Sequence, residues 1–137
     1  MELAEVVKKF AYVEFLDEDD QLKVIERQPR AIHLINNPSF KLQRAALLNG
    51  GVSIMQIIHN PDIRTWKIAI EIDYMSIGLH PAPPSSLQIF AIKRNRAAYH
   101  AINNPTQEAT DLYLSICEAF TYFNITSQFG DTGNDES

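Results

Sequence analysis

The sequence repeats one pattern with a period of 22 or 23 residues. Four units begin at a proline and a fifth fits before them; the starting residues are Leu16, Pro38, Pro61, Pro83 and Pro105. The tenth position of every unit is aliphatic, and the residues there are Ile25, Leu47, Ile70, Ile92 and Leu114. The ninth position is alanine in three units, at Ala46, Ala69 and Ala91. Apolar residues that recur in register over five units predict a stack of similar modules with a shared core.

Each unit has the sequence features of two short helices. Asn37, Asn60 and Asn104 each precede a proline, a pair that is typical of a helix N-cap and first helical residue. About eleven residues with apolar side chains at helical spacing follow, then a break such as Gly50-Gly51, then a second apolar segment. Helices this short are marginal in water unless they pack against neighbours. We therefore predict an all-α fold, a small α-solenoid-like stack of about five helix-turn-helix repeats in one domain.

The predicted helical domain covers residues 1–126. A partial leading unit, residues 1–15, precedes units at residues 16–37, 38–60, 61–82, 83–104 and 105–126. The segment HPAPPSS, residues 80–86, holds three prolines and favours a bend before the fourth unit, with the register continuing across it. Residues 127–137 are polar, contain two glycines and are predicted to form a flexible acidic tail.

Charge is unevenly distributed along the chain. The formal net charge is −5, divided into −5 for residues 1–26, +6 for residues 27–104 and −6 for residues 105–137. A basic middle between acidic ends bears on the choice of partner rather than on the fold. The single cysteine, Cys117, excludes an internal disulfide, and the first fifteen residues resemble neither a signal peptide nor a membrane span. These features favour a reducing, cytoplasmic location.

The segments AIHLINNPSFKLQRAALLNGG and AIKRNRAAYHAINNPTQEATDLYL resemble a family of short tandem α-helical repeats of unknown function, found in viral, phage and bacterial proteins. The resemblance covers residues 16–126 and is closest in the second and fourth units. The third unit departs from it at HPAP, and the first has LDEDD where asparagine and proline are expected. The resemblance implies a helical repeat fold and at most a binding role, and it supplies no catalytic residues.

Titratable residues form no catalytic or metal-binding pattern. The four histidines have none of the spacings of a zinc site, and Cys117 has acidic neighbours and no nearby histidine, which disfavours a thiolate. The acidic run at residues 17–20 lacks the glycine and distal glutamate of a calcium loop. Gly50-Gly51 does not belong to a phosphate-binding motif. We therefore predict no enzymatic activity, no cofactor and no metal site.

The sixth position of each unit, in the first of its two predicted helices, is the strongest candidate for a functional site. It holds Gln21, Gln43, Trp66, Gln88 and Thr110, and its polar character predicts that it faces solvent. Cations flank this position in the fourth and seventh positions of the units; they are Lys41, Arg44, Arg64 and Lys67. A further basic cluster, Lys93, Arg94 and Arg96, lies at the turn of the fourth unit. Tryptophan and arginine are enriched at binding hot spots, so we predict partner binding with Trp66 as the anchor. The alternative is a solvated charged face with the tryptophan folded over a neighbouring helix.

These observations favour a non-enzymatic protein–protein binding module whose basic strip meets an acidic protein surface. One alternative is a phage or viral inhibitor of a host defence complex, acting by steric block or by acidic mimicry of nucleic acid. Another is weak nucleic-acid binding through the basic strip, although strong nucleic-acid binders are normally basic overall. No membrane partner is expected, and the oligomeric state stays open.

Overall fold

Ten helical segments follow one another in the part of the chain that the structure describes. This computed structural model describes residues 12–130, with side chains as far as residue 124. The 3-10 helices are η1 (Val13–Phe15), η2 (Pro29–Leu34), η3 (Val52–Gln56), η4 (Tyr74–Leu79) and η5 (Arg96–Ala101). The α-helices are α1 (Glu18–Arg27), α2 (Phe40–Gly50), α3 (Ile63–Ile72), α4 (Ser85–Arg94) and α5 (Gln107–Gly130). Residues 12–130 contain no strand, so the all-α prediction is confirmed.

The repeating unit is an α-helix of ten or eleven residues followed by a 3-10 helix of five or six. Four such pairs occur in the described chain: α1 with η2, α2 with η3, α3 with η4, and α4 with η5. Successive pairs pack against one another, and the last pair packs against α5. The second segments are 3-10 helices because they are too short for a developed α-helix, and 3-10 geometry is common in pieces of this length.

The predicted fifth hairpin does not form. Helix α5 runs unbroken for 24 residues through the whole of the fifth unit. The α-helices of earlier units end at the C-caps Gln28, Gly51, Asp73 and Asn95, but Cys117 stands at the corresponding place in α5 and does not interrupt a helix. None of the described helices, α5 included, combines the length and apolar character needed to cross a membrane.

Two predicted terminal segments lie partly outside the described residues. The tail predicted at residues 127–137 begins inside α5, which extends to Gly130, and residues 131–137 are outside the described part of the chain. Of the predicted leading unit at residues 1–15, the structure describes only residues 12–15, which include η1.

Helices start two residues later than predicted. The N-caps include Asp17, Ser39 and Asp62, and each side-chain oxygen accepts a backbone N–H from the first helical turn. Asn60 and Asn104 have φ angles of 52° and 53°, in the left-handed region that asparagine tolerates better than most residues. The prediction of asparagine N-caps with proline inside the helix is therefore wrong. Asn37, Asn60 and Asn104 instead lie in the turn that leads to the cap.

The ninth and tenth positions form the core of the stack. Val24, Ala46, Ala69 and Ala91 are fully buried, and Ile25, Leu47, Ile70 and Ile92 are at most 1% exposed. Alanine at the ninth position lets neighbouring helices approach closely. In the last unit Leu114 is 56% exposed, because α5 is the final layer and no further unit covers it. The predicted spine of aliphatic residues is thus present in four units and ends at α5.

A buried glutamine joins the second unit to the third. Gln43 is only 3% exposed. Its Nε2 donates to the carbonyl of Pro38 at 3.0 Å, at the start of its own unit. Its Oε1 accepts the backbone N–H of Asp62 and the hydroxyl of Thr65, both at 2.8 Å, in the next unit. We refer to this arrangement as a glutamine clamp, because one side chain satisfies groups on both sides of a boundary between units.

The same clamp recurs at the last boundary, between the fourth unit and α5. Gln88 is 1% exposed, and its Nε2 donates to the carbonyl of Pro83 at 2.9 Å. Its Oε1 accepts the backbone N–H of Thr106, the residue before α5, at 2.9 Å. The clamps therefore satisfy backbone groups in the turns, which would otherwise be buried without partners.

The third unit has no clamp. Trp66 takes the place of the glutamine, and the N-cap of the following helix is Pro84, which has no N–H. Asp62 and Thr106, at the same place in the other units, each donate an N–H to a glutamine. At this boundary both the glutamine acceptor and the N–H donor of the cap are missing. The absence of the glutamine therefore leaves no cap N–H without a partner.

Candidate protein-binding surface

Six of the seven predicted cations lie on the outer faces of α2, α3 and α4. Lys41 and Arg44 are exposed on α2, Arg64 is exposed and Lys67 half-buried on α3, and Lys93 and Arg94 are exposed on α4. We refer to these six residues as the basic strip. They sit on the side of each helix opposite the core, so the repeat brings cations that are distant in sequence onto one surface.

Two phenylalanines hold cations of the basic strip in place. The guanidinium carbon of Arg64, on α3, lies 4.2 Å from the ring centroid of Phe40, on α2. Lys67 Nζ, on α3, and Arg94 Cζ, on α4, lie 5.4 Å and 5.0 Å from the centroid of Phe90. Cations over aromatic faces at these distances are attracted to the ring. The phenylalanines therefore link neighbouring helices at the surface and order three of the cations.

Two acidic side chains accompany the strip, and both are engaged. Arg64 forms a salt bridge with Asp62 at 2.9 Å, and Arg94 pairs with Glu71 of the neighbouring helix. The hydrogen bond from the Arg64 side chain, followed by the Arg64 backbone N–H, lowers the pKa of Asp62 below its usual value. The same side-chain bond raises the pKa of Arg64. These pairs leave the six-cation strip with an excess of positive charge.

The seventh predicted cation, Arg96, does not belong to the basic strip. It begins η5, and its guanidinium carbon lies 4.1 Å from the ring centroid of Phe120 on α5. Its Nη1 is 4.0 Å from Cys117 Sγ. Arg96 thus lies where the start of η5 contacts α5.

The predicted exposure of Trp66 is wrong. The side chain is 4% exposed and belongs to the core, and its ring lies 4.7 Å from the ring of His80. The sixth position is buried in four units, where the exposures are 9% for Gln21, 3% for Gln43, 4% for Trp66 and 1% for Gln88. The glutamines are buried because their amides are hydrogen-bonded, so polar character does not indicate exposure here. A tryptophan in this position has no free face with which to anchor a partner.

A shallow cleft borders the buried tryptophan. It has a volume of about 410 Å³, and its lining includes Met55, Ile58, Trp66, Leu79 and His80. Desolvation by burial lowers the pKa of His80, so the neutral imidazole is favoured beside the indole. Gln56 also lines the cleft, so its wall is of mixed polarity, and no cation of the basic strip lines it.

Other titratable residues have structural partners. The rings of His33 and His59 stack with centroids 5.1 Å apart, and His59 Nε2 donates to the carbonyl of His33 at 2.8 Å. Asp17 caps α1 by accepting the N–H of Asp20. Among residues 12–130, no group of three or more histidine, cysteine, aspartate or glutamate side chains is placed to hold a metal ion.

Sequence reasoning missed two surface features that the structure places beside the cations. Phe40 and Phe90 lie under the basic strip, although their helical spacing alone resembles that of core residues. Exposed aromatic residues also line the second half of α5, where Phe120 is 50% and Phe123 is 68% exposed. The signal for the second feature was the absence of any helix-breaking residue between Cys117 and Phe123.

Comparisons with known proteins identify no relative. No family model matches the chain, and neither a curated protein nor a solved structure is significantly similar to it. The resemblance to short helical repeats therefore stays a prediction.

Proposed function

We propose that the chain is a non-enzymatic protein-binding module whose basic strip contacts an acidic surface of another protein. The observation that carries the proposal is the ordering of cations across three successive helices. Contacts with Phe40 and Phe90 favour one position for Arg64, Lys67 and Arg94, so these side chains lose less freedom when a partner binds. Long cationic side chains that are already ordered favour recognition of a surface of fixed shape.

The strip offers both attraction and apolar contact. Lys41, Arg44 and Lys93 have no ion pair with any described residue and are available to acidic groups. Leu48, which follows Arg44 by one turn of α2, is 51% exposed. Complementary charge increases the rate of encounter, and buried apolar area supplies much of the affinity. The cations of the strip and the exposed apolar side chain therefore replace Trp66 as the proposed basis for binding.

A matched pair of variants tests the proposal. Lys41→Glu/Arg44→Glu reverses two cations of the strip, and Lys23→Glu/Arg30→Glu reverses two exposed cations outside it. Both change the net charge by the same amount. Tagged proteins are used to capture partners from a nuclease-treated lysate of the source cell, and the captured proteins are identified by mass spectrometry. We expect one set of proteins to be retained by the wild type and the control variant and lost from the strip variant.

Two results would contradict the proposal. Equal capture by the strip and control variants would show that Lys41 and Arg44 do not contribute. Capture of proteins from an untreated lysate but not from the nuclease-treated one would indicate nucleic-acid binding instead, if the mobility of labelled RNA or DNA also shifts and the shift weakens steeply between about 50 and about 200 mM salt.

A further inference from the structure

A second cleft opens where α4 ends and η5 begins, against the side of α5. It has a volume of about 350 Å³, and we refer to it as the turn cleft. Its apolar lining consists of Ile92, Ile116 and Phe120, and the consecutive residues 93–96 supply the rest. Sites for small molecules are usually clefts of about 300–1,000 Å³ with an apolar wall and a few polar groups. The turn cleft therefore has the size and lining of a site for a small ligand.

The turn cleft carries positive charge that the described part of the chain does not neutralise. Lys93, Arg94 and Arg96 line it, and none of the described aspartates or glutamates does. Arg94 is paired with Glu71 of α3. Lys93 and Arg96 form no ion pair with any described residue. Two cations are thus available to a ligand, and a group with two negative charges would neutralise both.

The polar side chains of the turn cleft are placed to donate hydrogen bonds. Lysine and arginine have donors and no acceptor. Asn95 Oδ1 accepts the backbone N–H of Ala97 at 2.9 Å, which engages its acceptor and leaves the Nδ2 donors for a ligand. A matching ligand must therefore bring several acceptor oxygens. A phosphate monoester brings three and carries a charge of about −1.5 to −2 at pH 7, so it fits better than a singly charged carboxylate.

The aromatic contact of Arg96 orients its guanidinium for such a group. The guanidinium carbon lies 4.1 Å from the ring centroid of Phe120, and this contact favours one position of the side chain. A planar guanidinium can donate two parallel hydrogen bonds to phosphate oxygens. Phe120 is itself 50% exposed, so part of its ring stays open to an apolar group of the ligand.

We propose that the turn cleft binds a small organic phosphate, a phosphate monoester carried on a single ring. The phosphate accepts hydrogen bonds from Lys93, Asn95 and Arg96, and the ring packs against Ile116 and Phe120. No lysine or arginine lines the cleft beside the buried tryptophan, so that cleft lacks the charge for the same ligand. The inference goes beyond the proposed function, because most of this lining lies outside the basic strip.

Phenyl phosphate is the probe, because it combines a phosphate monoester with one ring. Its binding to the full chain is followed by two-dimensional ¹H–¹⁵N NMR at about 50 mM salt, where exposed charges are only partly screened. We expect a dissociation constant of about 0.1–1 mM, with the largest shifts at the amides of residues 93–97 and 116–120. Inorganic phosphate, which has no ring, and phenylacetate, which has a single charge, should each bind at least about five-fold more weakly.

A matched pair of variants tests the cations. Lys93→Gln/Arg96→Gln removes the two that have no acidic partner, and Lys23→Gln/Arg30→Gln removes two exposed cations of the first unit. We expect the first variant to raise the dissociation constant of phenyl phosphate at least about ten-fold and the second to raise it less than about two-fold. Arg96→Lys keeps the charge without the planar fork and should raise it about three-fold or more. Circular dichroism of each variant establishes that the helices are retained.

Several outcomes would overturn the proposal. One is the absence of saturable shifts up to about 5 mM phenyl phosphate. Another is an equal effect of the two double variants, which would indicate attraction by net charge alone. Equal affinity for inorganic phosphate would exclude a contribution of the apolar wall, and equal affinity for phenylacetate would indicate a carboxylate site. Failure here is distinguishable from failure of the proposed function, because the capture of partners is tested at Lys41 and Arg44, which do not line the turn cleft.

Discussion

The second and third units place different residues at the same buried position. In the second unit Gln43 satisfies the N–H of Asp62 across the boundary, whereas in the third Trp66 fills the space and packs on His80. The following N-caps differ accordingly, since Asp62 has an N–H to donate and Pro84 has none. We refer to the contact that the sixth residue of a unit makes with the next unit as a joint, which is hydrogen-bonded at Gln43 and apolar at Trp66. One kind of joint can therefore replace the other, provided that the N–H donor in the next unit is lost as well.

The largest effect is expected at the apolar joint. Trp66→Ala removes a large side chain that is 4% exposed and leaves a cavity between units. We expect the free energy of unfolding to fall by about 3–5 kcal/mol, measured by urea denaturation. Phe15→Ala, at a side chain that is 82% exposed, serves as the control and should change stability by less than about 0.5 kcal/mol. Equal stability of both variants would mean that Trp66 is not in the core.

The hydrogen-bonded joint should be the next most sensitive. Gln43→Ala leaves the Pro38 carbonyl, the Asp62 N–H and the Thr65 hydroxyl without the partner they share. We expect a loss of about 2–3 kcal/mol in urea denaturation. Gln56→Ala changes an exposed glutamine and should lie within about 0.5 kcal/mol of the wild type. Similar effects at both glutamines would contradict a structural role for the clamp.

Exchange of the two joints sharpens the comparison. Trp66→Gln supplies the acceptor in the third unit, and Pro84→Asp supplies the N–H that the second unit has at Asp62. We expect Pro84→Asp to be more favourable in the Trp66→Gln background than in the wild type by about 1 kcal/mol. A double-mutant cycle of urea denaturation measures this difference. Strict additivity of the two substitutions would rule out the coupling that the account requires.

The smallest effect concerns pH. Burial lowers the pKa of His80 below 6.5, so the folded state favours the neutral imidazole. This contribution to stability is fully present above the unfolded value and is lost as pH falls through the folded pKa. Because Trp66 is the only tryptophan and its ring lies 4.7 Å from that of His80, its fluorescence should fall below pH 6.5 as the imidazole becomes charged. Ile35 and Ile102 hold the same position as His80 in other units. His80→Ile introduces that residue in the third unit and should remove the transition.

The core could be predicted from the sequence because the residues buried there are apolar. Small residues recur at the ninth position and aliphatic residues at the tenth, and a single helix period places both on one face. In the first four units the structure confirms them as the spine of the stack. Four cations of the strip were identified because they recur at the fourth and seventh positions of two units, and charged side chains are seldom buried without partners.

The sixth position was misread because a buried and an exposed glutamine are identical in sequence. The useful signal was its fixed distance from the preceding proline, as in Pro38 with Gln43 and Pro83 with Gln88, which is the spacing of the clamp. The continuous α5 was missed for another reason: the register of apolar residues persists at Cys117, and only the absence of a helix-breaking residue distinguishes this unit.

Hydrogen exchange at the N-caps tests the clamp most directly. The N–H of an N-cap has no partner within its own helix and ordinarily exchanges quickly, but those of Asp62 and Thr106 are bonded to Gln43 and Gln88. In the wild type we expect both amides to exchange at least about 100-fold more slowly than in an unfolded peptide. Gln43→Ala should release the amide of Asp62 and leave that of Thr106 protected. Rapid exchange of both amides in the wild type, or an Asp62 amide that stays protected in Gln43→Ala, would contradict the account.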